Sequence, residues 1–104
     1  MELKRVVVTG LGAVTPVGNT PEETWKNLVA GKSGAAPITH FDTTNFKTKF
    51  ACEVKDLNVT DYLDRKEVRK MDRYTQLAMI SAIQGVKDSG LDLEKEDKTR
   101  IGVI

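Results

Sequence analysis

The sequence has almost none of the two residue types that build most disulfides and zinc sites. It contains one cysteine, Cys52, and one histidine, His40. A single cysteine cannot form an internal disulfide, and one cysteine with one histidine cannot supply the ligands of a zinc site. The composition therefore favours a reducing, cytoplasmic setting and gives no reason to expect a metal or another cofactor.

Long apolar runs and an excess of charge of one sign are also missing. No apolar stretch approaches the roughly 18 residues of a membrane-spanning helix, and residues 1–5 lack the apolar core of a signal peptide. The formal net charge is only +1, whereas a general nucleic-acid-binding domain is distinctly basic. We therefore expect neither a membrane span nor a nucleic-acid partner.

Residues 4–18, KRVVVTGLGAVTPVG, resemble a glycine-rich phosphate loop without completing its pattern. Residues 4–8 predict a strand buried on both faces, and Gly10 and Gly12 predict a turn, as in the G-x-G-x-x-G dinucleotide fingerprint. Thr15 stands where that fingerprint has its third glycine. The pattern therefore counts against nucleotide binding, which we keep only as the weakest of three hypotheses.

The first predicted helix starts late after this loop. Pro16 biases the residue before it away from helical dihedrals. A capping pattern then follows at Thr20, Pro21 and Glu23, which predicts a helix from about Pro21. Gly31 is typical of the end of that helix.

The middle of the chain predicts a long loop, one strand and a short helix. Residues 32–45 are rich in Gly, Ser, Thr and Pro, which is typical of a loop. The alternation at 49–54 predicts a half-exposed strand with Cys52 on its apolar, buried face. A turn or short helical piece is expected at 58–62, and Asp64-Arg-Lys-Glu67 predicts a capping box that opens a brief charged helix.

The longest predicted helix runs from about Arg73 to Ser89, and its apolar and small residues cover far more than one stripe. Such a helix belongs in an interior rather than on a surface. Gly85 lowers helix propensity by about 1 kcal/mol, which is tolerable where another backbone packs closely against it. Gly90 is typical of a left-handed helix end, and residues 101–104 predict the start of another buried strand.

The predicted helices and strands do not form a complete core or a complete sheet. A helix that is apolar nearly all round has too little else in the chain to pack against, and the strand predicted at 101–104 leaves its sheet unfinished. Domain boundaries seldom fall inside core strands. We therefore expect residues 1–104 to be an incomplete domain, part of something larger.

The two residues with nucleophilic or acid–base chemistry are weak candidates for a site. Cys52 needs a neighbouring base or a helix N-terminus to become a reactive thiolate, and its predicted place in a strand is typical of an inert buried thiol. His40 lies in the predicted loop without a second histidine, which favours a surface or loop-packing role. We predict no catalytic residue and no metal ligand in the chain.

Residues 65–73 carry the most concentrated charge, with five basic residues against two acids. At helical spacing Lys66, Arg69, Lys70 and Arg73 lie at i, i+3, i+4 and i+7 and share one face. Arginine grips a phosphate or carboxylate with two hydrogen bonds, and lysine adds a point charge. The face is therefore either the dock of an acidic partner or a solvated surface, and the spacing leaves both open.

Together these segments resemble the N-terminal part of the β-ketoacyl-[acyl-carrier-protein] synthases, condensing enzymes of the thiolase-like superfamily, most of all the type II branch. The resemblance runs through the whole chain in order. The segments that carry it are RVVVTGLGAVTPVGN at 5–19, Trp25 with AGKSG at 30–34, ITHFD at 38–42, RKEVRKMD at 65–72, DSGL at 88–91 and RIGV at 100–103.

The resemblance implies an α/β fold of the thiolase-like type, a layered αβαβα body of two similar halves that is normally a homodimer. Residues 1–104 would supply the first part of the N-terminal half, with the helix at 73–89 between two sheets. The resemblance also implies that the basic face docks an acidic acyl carrier protein, which presents substrate on a phosphopantetheine arm. This partner-binding role is carried onto Lys66, Arg69 and Lys70.

The implied activity is fatty-acid chain elongation. In the family a cysteine holds the acyl chain as a thioester, two histidines assist decarboxylation of malonyl-carrier protein, and the resulting carbanion attacks the thioester. Cys52 and His40 do not match those residues, so we expect the 104 residues alone to be catalytically silent. The alternative is a non-catalytic ketosynthase-like chain that only binds carrier protein or a sister subunit.

Overall fold

The computed structural model describes residues 1–104 as three α-helices and one small antiparallel sheet. The elements in chain order are α1 (Pro21–Val29), β1 (Ala35–Pro37), β2 (Phe50–Cys52), α2 (Arg65–Val68) and α3 (Arg73–Ser89). Single 3-10 turns lie at Val59–Asp61 and Lys98–Arg100, the first of them within the predicted turn. No helix combines the length and the hydropathy that a membrane crossing requires.

Helix α1 begins where its capping residues predict. The hydroxyl of Thr20 accepts a hydrogen bond from the amide of Glu23 at 3.2 Å. The Glu23 carboxylate accepts from the amide of Asn19 at 3.0 Å, one residue earlier than in the usual capping box. Pro21 is the first helical residue, where its missing N–H leaves no helical bond unmade. The delayed helix start is confirmed.

Strands β1 and β2 form an antiparallel ladder that the sequence predicts only in half. The register is Ala35–Cys52, Ala36–Ala51 and Pro37–Phe50. The strand at 50–52 is confirmed, but β1 lies inside the stretch 32–45 that its composition predicts to be loop. A three-residue strand is too short to show alternation, and only its pairing with residues far along the chain defines it.

The predicted burial of Cys52 is wrong. Along β2 the middle residue, Ala51, is half-buried, whereas Phe50 and Cys52 are exposed. The sheet has only two strands, and no layer of the chain covers the face that carries Phe50 and Cys52. Alternation along a strand buries a side chain only where a second layer packs on that face.

Helix α3 spans Arg73–Ser89, the range that its apolar pattern predicts. Gly90 ends it in the left-handed conformation with φ 68°, also as predicted. Ile80 is its one fully buried side chain, while Tyr74 and Val86 are exposed. The burial predicted for α3 is therefore present on one face only. Residues 1–104 place no second layer of structure against its other faces.

The segment that follows the first predicted strand lies lengthwise along α3. Asp88 Oδ2 accepts from the amide of Leu11 at 2.9 Å, and Gln84 Oε1 accepts from the amide of Ala13 at 3.0 Å. Two residues of extended chain span about 6.6 Å and four residues of helix about 6 Å. Gln84 and Asp88, one helical turn apart, therefore lie opposite two alternate amides of an extended segment that runs antiparallel to α3. Gln84 Nε2 also donates to Asn19 O at 2.6 Å.

Gly10 and Gly12 permit this close approach and do not form the predicted turn. Neither has a positive φ, and a Cβ on Gly12 would overlap the carbonyl oxygen of Ser81 in α3. The turn lies later, where the amide of Thr15 donates to Gly18 O at 2.7 Å. The amides on either side of Gly12 are already bonded to side chains of α3. Two of the backbone amides that a phosphate loop would offer to its ligand are therefore already used.

The two predicted terminal strands, residues 4–8 and 101–104, are not strands in the structure. Neither has a neighbouring strand to pair with, and Val6 and Val103 are 89% and 99% exposed. The predicted fold class is thus present only in part. Residues 1–104 form a mixture of helices and one small antiparallel sheet, without the layered αβαβα body.

Candidate partner-binding site

The basic residues predicted to bind a partner lie on α2 and on the turn that follows it. Helix α2 has only four residues. The helical path continues past it, because the amides of Arg69 and Lys70 donate to carbonyls of α2 at 3.3 and 3.0 Å. Lys66, Arg69 and Lys70 therefore lie on one short helical stretch. We call these three residues the basic turn.

Two details of the prediction for this segment are wrong. Asp64 precedes α2 in extended conformation, but its side chain makes no capping hydrogen bond. Arg73 does not share the face of the basic turn, because Asp72 is extended with ψ 161° and Arg73 begins the next helix. The continuous basic face expected from helical spacing is therefore interrupted at Asp72.

The side chains of the basic turn are exposed and only weakly engaged within the chain. Lys70 Nζ lies 3.5 Å from Glu67 Oε1, with both side chains largely in solvent. Such an exposed pair contributes about 0.2–1 kcal/mol. Lys66 and Arg69 form no ion pair. A partner's carboxylate or phosphate can therefore reach two ammonium groups and a guanidinium without breaking a strong internal contact.

A residue that charge spacing does not single out ties the basic turn to α3. The side-chain amide of Gln76, Nε2, donates to Val68 O at 3.3 Å and to Met71 O at 3.2 Å. Gln76 is half-buried. The sequence carries no specific signal for this role, because nothing in the pattern of α3 separates Gln76 from its other polar residues, such as Gln84.

Lys55 is a second organising residue that the sequence does not reveal. Its ammonium group donates to Gly34 O at 3.0 Å, Glu53 O at 3.1 Å and Pro16 O at 3.4 Å. It therefore joins the turn before α1, the approach to β1 and the end of β2. No local pattern carries this information, because two of the three acceptors lie 21 and 39 residues away along the chain.

Cys52 has no hydrogen-bond partner, and His40 has one acidic neighbour, Glu53. Cys52 is exposed on β2, and its thiol makes no hydrogen bond. His40 is exposed in the loop after β1, and its Nε2 lies 3.8 Å from Glu53 Oε1. No group of three or more His, Cys, Asp or Glu side chains is placed to hold a metal ion.

Glu53 anchors the loop that carries His40. Its carboxylate accepts hydrogen bonds from the Thr39 hydroxyl at 2.8 Å and the Thr39 amide at 3.1 Å. Its side chain is only 15% exposed. The hydroxyl bond of Thr39 is the main cause that lowers the pKa of Glu53 below its ordinary value of 4.5. Hydrogen bonds from threonines two residues later likewise lower the pKa values of Asp42 and Asp97.

Comparison with known proteins gives one consistent result. Residues 3–104 match the family described as "Beta-ketoacyl synthase, N-terminal domain". A 3-oxoacyl-[acyl-carrier-protein] synthase 2 of Vibrio harveyi is 50% identical over 103 residues, which are 99% of this chain and 25% of the relative. The synthase 2 of a Synechocystis species is 44% identical over 104 residues, which are 100% of this chain and 25% of the relative.

A solved structure agrees with these relatives. "The ishigamide ketosynthase/chain length factor" superposes with a TM-score of 0.77 and 39% identity, covering 85% of this chain and 22% of that chain. The chain thus spans about a quarter of the length of the curated relatives it matches. The resemblance inferred from the motifs is confirmed, and the structure is that of a fragment of a thiolase-like ketosynthase N-terminal domain. The chain belongs to the β-ketoacyl synthase family.

Proposed function

We propose that residues 1–104 are the N-terminal portion of a 3-oxoacyl-[acyl-carrier-protein] synthase that elongates fatty acyl chains. The observation that carries this proposal is the 50% identity to the Vibrio harveyi synthase 2 over 103 residues. The setting is cytoplasmic and reducing, and the complete enzyme is a homodimer. The free thiol of Cys52 suits such a setting.

The proposed reaction is a decarboxylative condensation. An acyl chain passes from carrier protein to an enzyme cysteine, which forms a thioester and releases the thiol of the carrier. Malonyl-carrier protein then loses carbon dioxide, and the carbanion on its α-carbon attacks the thioester carbon. The new carbon–carbon bond displaces the cysteine and leaves a 3-oxoacyl group, longer by two carbons, on the carrier.

Residues 1–104 contribute scaffold and partner recognition to this reaction, and no reacting group. The exposed thiol of Cys52 has no base beside it, and His40 pairs with Glu53 on the surface. The exposed valines of residues 4–8 and 101–104 support a role as strands of a larger sheet in a layered αβαβα body. The same assembly would cover the faces of α3 that carry Tyr74 and Val86.

The basic turn is the part of the chain that docks the carrier protein in this proposal. Its three cations are exposed, and two of them lack any internal ion pair. An acidic partner is attracted over a distance of about one Debye length, roughly 8 Å at physiological salt. Such charges mainly raise the association rate and select the partner, while the substrate arm enters elsewhere.

The test is a condensation assay on the full-length gene product that contains residues 1–104. The protein is mixed with acyl-carrier protein and malonyl-carrier protein, and the products are measured by mass spectrometry. We expect an acyl-enzyme, release of carbon dioxide and a 3-oxoacyl-carrier protein two carbons longer. An intact mass of the same sample shows how much chain accompanies these residues. Absence of both the acyl-enzyme and the condensation product would contradict the proposal.

A second candidate is a non-catalytic ketosynthase-like partner that binds carrier protein or a sister subunit. One observation favours it: the similar solved structure is a ketosynthase/chain length factor, and so not a ketosynthase alone. The same assay separates the two candidates. A gene product that binds carrier protein or a sister chain but never forms an acyl-enzyme supports the second candidate and contradicts the first.

A further inference from the structure

The basic turn has little local structure of its own to hold it in place. Helix α2 has four residues, far fewer than the roughly 12–15 that an isolated helix needs to be even marginally stable in water. Its predicted cap at Asp64 is not made. The orientation of Arg69 and Lys70 must therefore depend on contacts with a more stable element.

Gln76 supplies such a contact from the first turns of α3. Val68 O and Met71 O flank the end of the basic turn. Val68 O already accepts from the Met71 amide at 3.2 Å, whereas Met71 O accepts from no backbone amide. The Gln76 side-chain amide donates to both, at 3.3 and 3.2 Å. One side chain thus binds the backbone immediately before Arg69 and immediately after Lys70.

The other end of the Gln76 side chain reaches Arg73, one of the two cations of residues 65–73 that lie outside the basic turn. Gln76 Oε1 accepts from the Arg73 guanidinium at 3.5 Å, the outer limit of a hydrogen bond. Because α3 is the longest element of the chain, with 17 residues, it is a firm base for a four-residue helix. The half-buried amide is therefore placed to fix the turn and the arginine relative to each other.

We infer that Gln76 is a positioning residue for carrier-protein docking, which it serves by holding the basic turn in a binding-ready geometry. This inference rests on the proposed function. A flexible turn must be ordered when the acidic partner binds, and that ordering weakens the affinity. A turn that is already fixed avoids the loss, although Gln76 itself carries no charge and need not touch the partner.

The test compares two glutamine variants of the full-length gene product. Gln76→Met keeps the length of the side chain but removes both donated bonds. Gln84→Met is the matched control, because it removes the bonds to Ala13 and Asn19 from the same helix, far from the basic turn in sequence. Calorimetry with holo-acyl carrier protein gives the affinity, and urea unfolding gives the stability of each variant.

We expect both variants to lose stability but only Gln76→Met to lose affinity, by about three- to tenfold. The slope of log affinity against log salt should stay that of the wild type, since Gln76 is uncharged and all three cations of the basic turn remain. Equal affinity of Gln76→Met and wild type, or an equal loss in Gln84→Met, overturns the inference.

The test also covers a variant that does not fold, and it separates failure of the positioning role from failure of the docking role. If Gln76→Met does not fold, Gln76→Asn keeps the amide on a shorter stem and should lose at least about twofold in affinity; an unchanged affinity overturns the inference. If charge reversal of Lys66, Arg69 and Lys70 leaves carrier binding unchanged, the proposed docking role itself fails. A loss on charge reversal with none in Gln76→Met refutes the positioning role alone.

Discussion

The amide nitrogen of Gly12 lies 3.5 Å from the position that a Cβ on Gly85 would occupy, so the loop backbone and helix α3 touch without an intervening side chain. The close backbone approach predicted at Gly85 is confirmed. The space for a side chain, however, differs between Gly85 and Gly12. A methyl group on Gly85 meets only ordinary van der Waals contact, whereas one on Gly12 would overlap Ser81 O.

Gly12→Ala should therefore destabilise the full-length gene product by about 1–3 kcal/mol, the usual cost of overpacking. Gly85→Ala is the matched control. It should be neutral or stabilising by up to about 1 kcal/mol, because alanine favours the helix. Urea unfolding measures both values. A Gly85→Ala variant as unstable as Gly12→Ala would mean that the loop and the helix are packed differently.

Lys55→Met should also destabilise the protein, by about 1–2 kcal/mol, because three carbonyl oxygens on three segments lose a charged donor. Lys47→Met serves as the control, since Lys47 is exposed and makes no hydrogen bond. Thermal or urea unfolding of the two variants gives the comparison. Equal stability of the two variants would show that the Lys55 ammonium does not join these segments.

The lowered pKa of Glu53 predicts a specific loss of stability in acid. Thr39 favours the ionised carboxylate in the folded protein, so the unfolded chain takes up this proton first as the pH falls. The stabilisation is present above the ordinary pKa of 4.5 and is lost as the pH falls through the lowered folded value.

Glu53→Gln should flatten the pH dependence of the free energy of unfolding below pH 4.5. Glu22→Gln is the control, because Glu22 is an exposed glutamate that makes none of these bonds. Urea unfolding at a series of pH values measures the slope. Identical slopes in Glu53→Gln and Glu22→Gln would show that the hydrogen bonds from Thr39 do not cause this pH dependence.

Residues 1–104 produced alone should not melt cooperatively. Ile80 is the only large side chain that is fully buried, and Trp25 is 69% exposed although it lies on the apolar face of α1. So little buried apolar area cannot offset the entropy of ordering about a hundred residues. Calorimetry should show no sharp transition, and a dye for apolar surface should bind. A sharp two-state transition would show that the chain is a self-sufficient domain.

Features set by neighbouring residues are the ones that the sequence predicts well. The start of α1 at Pro21 depends on Thr20 and Glu23, and the end of α3 depends on Gly90. Even the break at Asp72 was accessible from local signals, because a helix that starts at Arg73 cannot share a face with the helix before it.

Features set by distant residues are the ones that the sequence misses. Strand β1 exists only because Ala36 pairs with Ala51, and Cys52 is exposed because no layer covers that side of the sheet. The anchoring of the loop by Gln84 spans 71 residues of sequence. Residue pattern alone does not specify which of many polar side chains makes such a contact.

The basic turn is proposed to be a docking site rather than a solvated surface. The decisive measurement is the affinity of the full-length gene product for holo-acyl carrier protein at low and physiological salt. Two variants with the same total charge change are compared with wild type: Lys66, Arg69 and Lys70 to Glu, and Lys26, Lys47 and Lys98 to Glu.

We predict at least about tenfold weaker binding for the basic-turn variant at low salt, a smaller loss at physiological salt, and little change for the control variant. Equal affinities for the two variants, whether both weakened or both unchanged, would contradict a docking role for Lys66, Arg69 and Lys70.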